Sequence, residues 1–274
     1  MAVPTYNEKG KVRKHYDLVS PYYLALWGEH LHHGYWIHGH EPKEKAQLQL
    51  IEHLARVANL PSECQVLDVG CGFGASSIYL AKQYKAQATG ITISPVQVEM
   101  ANKAARKANA RAEFLCMDAE AMKFKKPFDV VWSVESISHY PNNEKFFAGA
   151  AKLLKPSGRM AITDWFKKDG LAPREYKKFL RPIEMGMLVE LHTMEKYETL
   201  MRKNGLKVVR TEILNKHCAK TWDLCLDIIK DKAFWALAAK HGIAFLHYLR
   251  AFKAMRAGYD SGNFIYGLMV AEKP

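Results

Sequence analysis

The sequence predicts an α/β protein built on a doubly wound, mostly parallel sheet, with helical cap insertions over the C-terminal ends of the strands. Three observations carry that expectation. From residue 64 onward, short apolar runs alternate with amphipathic stretches of helical period. The first of those runs, "VLDVGCGFGASS" (66–77), ends in an aspartate and three alternate glycines. Two long apolar stretches, 167–193 and 216–257, break the alternation just after presumed strand ends, where open α/β sheets bind ligands.

Residues 11–40 form a preamble rich in aromatic residues and histidine, with Tyr16, Tyr22, Tyr23, Trp27, His32, His33, Tyr35 and Trp36. Residues 43–58 place Leu48, Ile51, Leu54, Ala55 and Ala58 at helical spacing. A Pro-Ser break at 61–62 leads into the strand "CQVLDVG". Helix is then expected over 75–84, strand over 86–93, helix over 95–108, and strands over 112–119 and 128–136. A helix over 143–154 and a turn into a strand over 156–166 follow. The helix 194–205 ends at Gly205, a C-capping glycine, and feeds strands over 206–214 and 264–274. With the alternation established, the fold class is Rossmann-like.

Composition narrows the classes of function. Lys+Arg 40 against Asp+Glu 28 leaves a net charge of +12, which favours anionic partners in principle. The basic residues are scattered, however, with clusters only as short as "KFKKPF" (123–128), so they read as solvated surface. Five cysteines without a C-x-x-C pair suggest neither a disulfide framework nor a metal site, and point to a reducing compartment. The first residues lack the apolar core of a signal peptide and no run is long enough to span a bilayer. The expected location is the cytoplasm, with at most peripheral membrane contact.

Gly70, Gly72 and Gly74, followed by Ala75, formally meet the loose dinucleotide pattern. Their neighbours argue for a different ligand. Asp68, two residues before the first glycine, would stand beside a pyrophosphate, which is unfavourable, but suits a cationic amino-acid portion. The end of the second strand offers Thr92, Ser94 and Gln97 and no acid for a nicotinamide ribose. Asp118, at the end of the third strand, can accept from an adenine amino group. Together these features favour S-adenosyl-L-methionine.

At these residues the chain resembles the class I S-adenosylmethionine-dependent methyltransferases. It is most similar to the group holding the tocopherol methyltransferases, and more distantly to sterol and cyclopropane-fatty-acid-type enzymes. The resemblance runs from about Tyr16 to Trp165 and rests on "LWGEHLHHGYW" (26–36), the glycine segment, "GITISPVQ" (90–97) and "FDVVWSVESISHYPN" (128–142). It implies the methionine portion at Asp68, Gly70 and Gly72, the ribose near Thr92 and Gln97, and the adenine near Asp118 and Ala119. Ser133 would lie beneath the cofactor, with His33 and Gly34 in a segment folded over it. It also implies an N-terminal lid, 1–42, on a methyltransferase domain, 43–274. One position departs from the pattern. Relatives usually carry a glutamate immediately before the histidine matching His139, and here Ser138 stands there. Cyclopropane formation uses that acid to hold a bicarbonate base, so its absence argues against that reaction and against tocopherol as acceptor.

The expected reaction is methyl transfer to oxygen, nitrogen or an activated carbon, which needs an aligned acceptor, excluded water and, for a phenol or protonated amine, a base. His139, following the fourth strand, is the candidate base. Tyr22, Tyr23, Glu135 and His139 are the candidate acceptor-binding residues. Most of the apolar stripe of Trp222, Leu226, Ile229, Phe234, Leu237, Phe245, Leu249 and Phe252 in the second cap stretch is expected to be core, and any of it that faces the cleft would suit a hydrophobic or aromatic small molecule. The competing readings are a nucleic-acid methyltransferase and a non-catalytic cofactor-binding protein; no nucleic acid is expected.

Overall fold

A seven-stranded sheet in the order β3-β2-β1-β4-β5-β7-β6 organises the chain. The computed structural model describes residues 6–230, Trp235 and 243–274, with side chains from 249 in the last segment. The strands are β1 (Gln65–Val69), β2 (Gln87–Thr92), β3 (Ala112–Cys116), β4 (Phe128–Val134), β5 (Leu154–Lys167), β6 (Lys207–Ile213) and β7 (Phe264–Glu272). β1 to β5 pair in parallel, while β7 runs antiparallel between β5 and β6. β1 and β4 are mostly apolar inside, with Val66, Leu67, Val69, Val130, Val131 and Trp132 at most 1% exposed, as strands covered on both faces require.

The helices α1 (Lys9–Leu26), α2 (Lys43–Val57), α3 (Ala75–Gln83), α4 (Pro95–Ala108) and α5 (Asn143–Leu153) flank the first five strands. Each start has a local cause. Gly74, at φ +78°, turns the chain into α3. Ser94 caps α4 by accepting from the Gln97 amide, with Pro95 in the first turn, and Asn142 caps α5 by accepting from Lys145. α4 matches the expected span residue for residue, and the other helices and strands of the alternation agree to within a few residues. β5 is longer than expected: it begins at Leu154 and runs through Ser157, whose φ is +59°. Leu154 pairs with Phe128 of β4 and the Ser157 amide donates to the Lys273 carbonyl at 2.8 Å, while β7 pairs with β5 from Arg159 onward.

The two interrupting stretches are largely helical, from Pro173 to Met187 and over Asn215–Cys218, Lys220–Ile228 and Ile243–Ser261. Their apolar faces join one core with α2 and β4: Leu180, Ile183, Trp222, Met255 and Tyr259 cluster with Leu54, Val130 and Trp132. Between α1 and α2 the chain is an irregular loop. Strand order reverses between β1 and β4, which opens a crevice at their C-terminal ends.

Candidate active site

A cavity of 370 Å3 occupies that crevice. Its wall includes His33, Asp68, Gly70, Gly72, Thr92, Gln97, Asp118, Ala119, Tyr22, Tyr23, Glu135 and His139. Gly34 and Ser133 are not on it. Gly34 packs the loop against α2, where an added Cβ would meet Ala46 at 2.8 Å and the Trp36 ring at 2.6 Å. The Ser133 hydroxyl donates to the Val69 carbonyl at 3.1 Å and bridges β4 to β1.

One end of the cavity is polar. Asp68 is 2% exposed, and burial lifts its carboxyl to about 7, although the Ser77 hydroxyl donates to it at 2.6 Å and opposes the shift. The Thr92 hydroxyl donates to the Gln97 side-chain Oε1 at 2.7 Å, which ties the end of β2 to the first turn of α4. Asp118 accepts from the Glu120 amide at 2.9 Å and from Lys9 Nζ at 2.7 Å. A Cβ on Gly72 would have Leu31 Cδ1 as its neighbour, at 3.5 Å, so the glycine loop opens toward the cavity beneath the 27–42 loop.

At the end of β4, His139 makes two contacts. Nδ1 lies 3.0 Å from the Leu188 carbonyl and Nε2 lies 2.8 Å from the Tyr16 hydroxyl. A carbonyl only accepts, so Nδ1 carries the proton and Nε2 presents its lone pair to the cavity. Burial lowers the imidazole to about 4, against the opposing pull of the Leu188 bond and of Glu135. His139 is therefore neutral at physiological pH. Glu135 lines the cavity, and both its oxygens also accept from protein donors. His33 N, at 2.6 Å, and the Tyr266 hydroxyl, at 2.7 Å, donate to Oε1, and Trp165 Nε1 donates to Oε2 at 3.1 Å.

The far end of the cavity is apolar, with Leu18, Val19, Leu26, Met187, Trp222, Cys225, Ile228 and Phe252 on its wall. Of the expected cap stripe, Trp222 and Phe252 line the cavity, beside Cys225 and Ile228, while Leu226 and Ile229 are not on its wall. Phe234 and Leu237 lie outside the described residues, as does the Phe245 side chain. Leu249 is half-buried. Sequence reasoning named Tyr16 among the preamble aromatics without giving it a role, and it missed Lys9. Their partners lie 123 and 109 residues away, and no local pattern marks such pairs.

The family described as mycolic acid cyclopropane synthetase matches residues 5–265. The chain belongs to this family. Among curated relatives, 27-O-demethylrifamycin SV methyltransferase of Amycolatopsis mediterranei (strain S699) is 32% identical, with all of both chains covered. The probable chloroplastic tocopherol O-methyltransferase of Oryza sativa subsp. japonica is 29% identical over 94% of this chain and 76% of its own. In fold the chain is similar to the cyclopropane synthase MmaA2 from Mycobacterium tuberculosis, with a TM-score of 0.85, 22% identity, and 97% and 98% of the two chains covered.

This member of the mycolic acid cyclopropane synthetase family is an S-adenosylmethionine-dependent methyltransferase acting on small molecules. Its polar end fits the cofactor: Asp68 is a buried carboxylate that a cation would return to its ionised form, and Gly72 leaves room at the loop. When bound, the cofactor supplies an electrophilic methyl group on a sulfonium. Ser138 does not replace the acid that cyclopropane formation uses. Its amide and hydroxyl both donate to Asp164, at 2.9 and 3.0 Å, and the residue is 1% exposed and off the cavity wall.

Proposed function

We propose that the protein methylates a hydroxyl oxygen of a hydrophobic or aromatic small molecule, with His139 as the base that takes the hydroxyl proton. The observation that carries this reading is the state of the imidazole. Nδ1 is committed to the Leu188 carbonyl and Nε2 is unprotonated, 2.8 Å from a phenolic oxygen, that of Tyr16. An acceptor hydroxyl that displaces Tyr16 would meet the same lone pair, and the proton it loses would go to Nε2. The imidazolium so formed keeps its Leu188 bond and is attracted by Glu135.

The apolar wall supports a hydrophobic acceptor, and the O-demethyl and O-methyl names of the two relatives support oxygen over nitrogen. In this reading Asp68, Gly70, Gly72, Thr92, Gln97, Asp118 and Ala119 hold the cofactor, and Tyr22 and Tyr23 help shape the acceptor pocket. Residues 1–42 act as the lid of the domain 43–274, and 167–193 and 216–257 as its cap. A cytoplasmic location belongs to the same reading, supported by five free cysteines. Among the described residues no helix is long and apolar enough to cross a membrane.

The test is a labelled-methyl transfer screen over hydrophobic phenols, alcohols and amines, with mass spectrometry of the products. Oxygen-methylated products are expected. His139→Ala should cut turnover by about 10²–10⁴-fold and leave S-adenosylhomocysteine affinity nearly unchanged. Methylation confined to nitrogen, or full turnover in His139→Ala, would overturn the reading.

A further inference from the structure

Glu135 and His33, expected at the acceptor and the cofactor, both line the cavity and also bond one another. His33 is 1% exposed, and its backbone N and its Nδ1 approach the same Glu135 oxygen, at 2.6 and 3.0 Å. Two further donors, the Tyr266 hydroxyl and Trp165 Nε1, complete the carboxylate. The His33 ring stacks on Tyr266 with centroids 4.3 Å apart and meets Trp222 edge-on at 4.8 Å. His33 first, through its ring and its backbone N–H, and then His32 hold the carboxylate below the usual range despite burial. Breaking such a set leaves an uncompensated buried charge, so it behaves as a unit.

Two connections join this unit to the cofactor end of the cavity. Glu135 has φ +52°, a conformation disfavoured for a side-chain-bearing residue. That turn delivers the Ser136 hydroxyl to the Val69 carbonyl at 2.8 Å, directly before Gly70. The fit there is tight, since a Cβ on Gly70 would fall 2.3 Å from Ser136 Cβ. Through His33, the same carboxylate anchors the 27–42 loop, whose Leu31 lies over Gly72.

The geometry points to Glu135 as a positioning residue for cofactor retention: its carboxylate clamps the 27–42 loop onto the glycine loop through His33 without touching cofactor or acceptor. The inference rests on the cofactor, and the acceptor and the base of the reaction do not enter it. A failed acceptor screen would leave it standing, and its own failure would leave the His139 reading intact.

The experiment measures S-adenosylhomocysteine affinity by calorimetry and its dissociation rate by tryptophan fluorescence, with melting temperature recorded for each variant. Glu135→Gln must turn an amide N–H toward at least one of the four donors, and His33→Leu removes the Nδ1 donor. Each should weaken binding by about tenfold or more, chiefly through faster dissociation. His33→Asn keeps a donor near the Nδ1 position and should recover affinity to within about threefold of wild type. If His33→Leu does not fold, Leu31→Ala, which leaves the clamp intact and removes the loop's contact at Gly72, should speed dissociation in the same way. Wild-type affinity and dissociation in Glu135→Gln, equal losses in His33→Asn and His33→Leu, or unchanged dissociation in Leu31→Ala would overturn the proposal.

Discussion

Burial moves Asp68 and His139 in opposite senses, and each sense has a consequence. Asp68, raised to about 7 from an ordinary 3.8, holds a proton below neutrality that the unfolded chain would release. Its contribution to stability is therefore full below pH 4 and is lost as pH rises through 7. Cofactor binding works the other way, because a cation selects the ionised form. S-adenosylhomocysteine affinity, read by calorimetry, should fall by up to about tenfold for each pH unit below 7. Asp68→Asn should flatten that dependence, weaken binding, and raise the melting temperature of the cofactor-free protein at pH 8. His139, lowered to about 4 from 6.5, is already neutral at physiological pH, and its contribution to stability is lost as pH falls from 6.5 through 4. At this scale Asp68 was legible from its place before Gly70. The tautomer of His139 was not, because Leu188 and Tyr16 reach it from 49 and 123 residues away.

α1 is tied across the ends of three strands. Lys9 reaches Asp118 and Glu120 at 2.7 and 2.6 Å beyond β3, Asp17 accepts from Ser94 at 2.6 Å beyond β2, and Tyr16 meets His139 beyond β4. The Lys9 pairs are more than a third exposed on the lysine side, so each contributes little alone. Lys9→Met combined with Asp17→Asn should therefore be needed to loosen the helix. The expected outcome is faster proteolytic cleavage within 9–26 and cofactor exchange accelerated by roughly threefold to tenfold. Helices and strands themselves were readable because capping residues and period are local: Ser94, Asn142 and Gly74 announce their helices. The cap was readable only as apolar and helical. Which of its residues face the cavity was not readable, because 222, 226, 229 and 222, 225, 228 are both plausible helical faces, and only the neighbours choose between them.

Across the whole molecule the cavity lies where the parts meet, at the reversal of strand order, between the glycine loop, α1, the 27–42 loop and the cap, and the proposed cofactor site is there. Binding there should stabilise the whole fold. S-adenosylhomocysteine at 100 times its dissociation constant should raise the melting temperature by roughly 5–10 °C, measured by scanning calorimetry. The sequence by itself determined the alternation, the turn at the glycines and the polar residues at successive strand ends, because period, capping and turn chemistry act over a few residues. Tertiary structure alone decided that His33 and Glu135 serve one another, that Tyr16 meets His139 and that Ser138 faces Asp164. Those outcomes depend on which side chains meet after the chain has crossed the sheet, and such encounters leave no periodic trace in the order of residues.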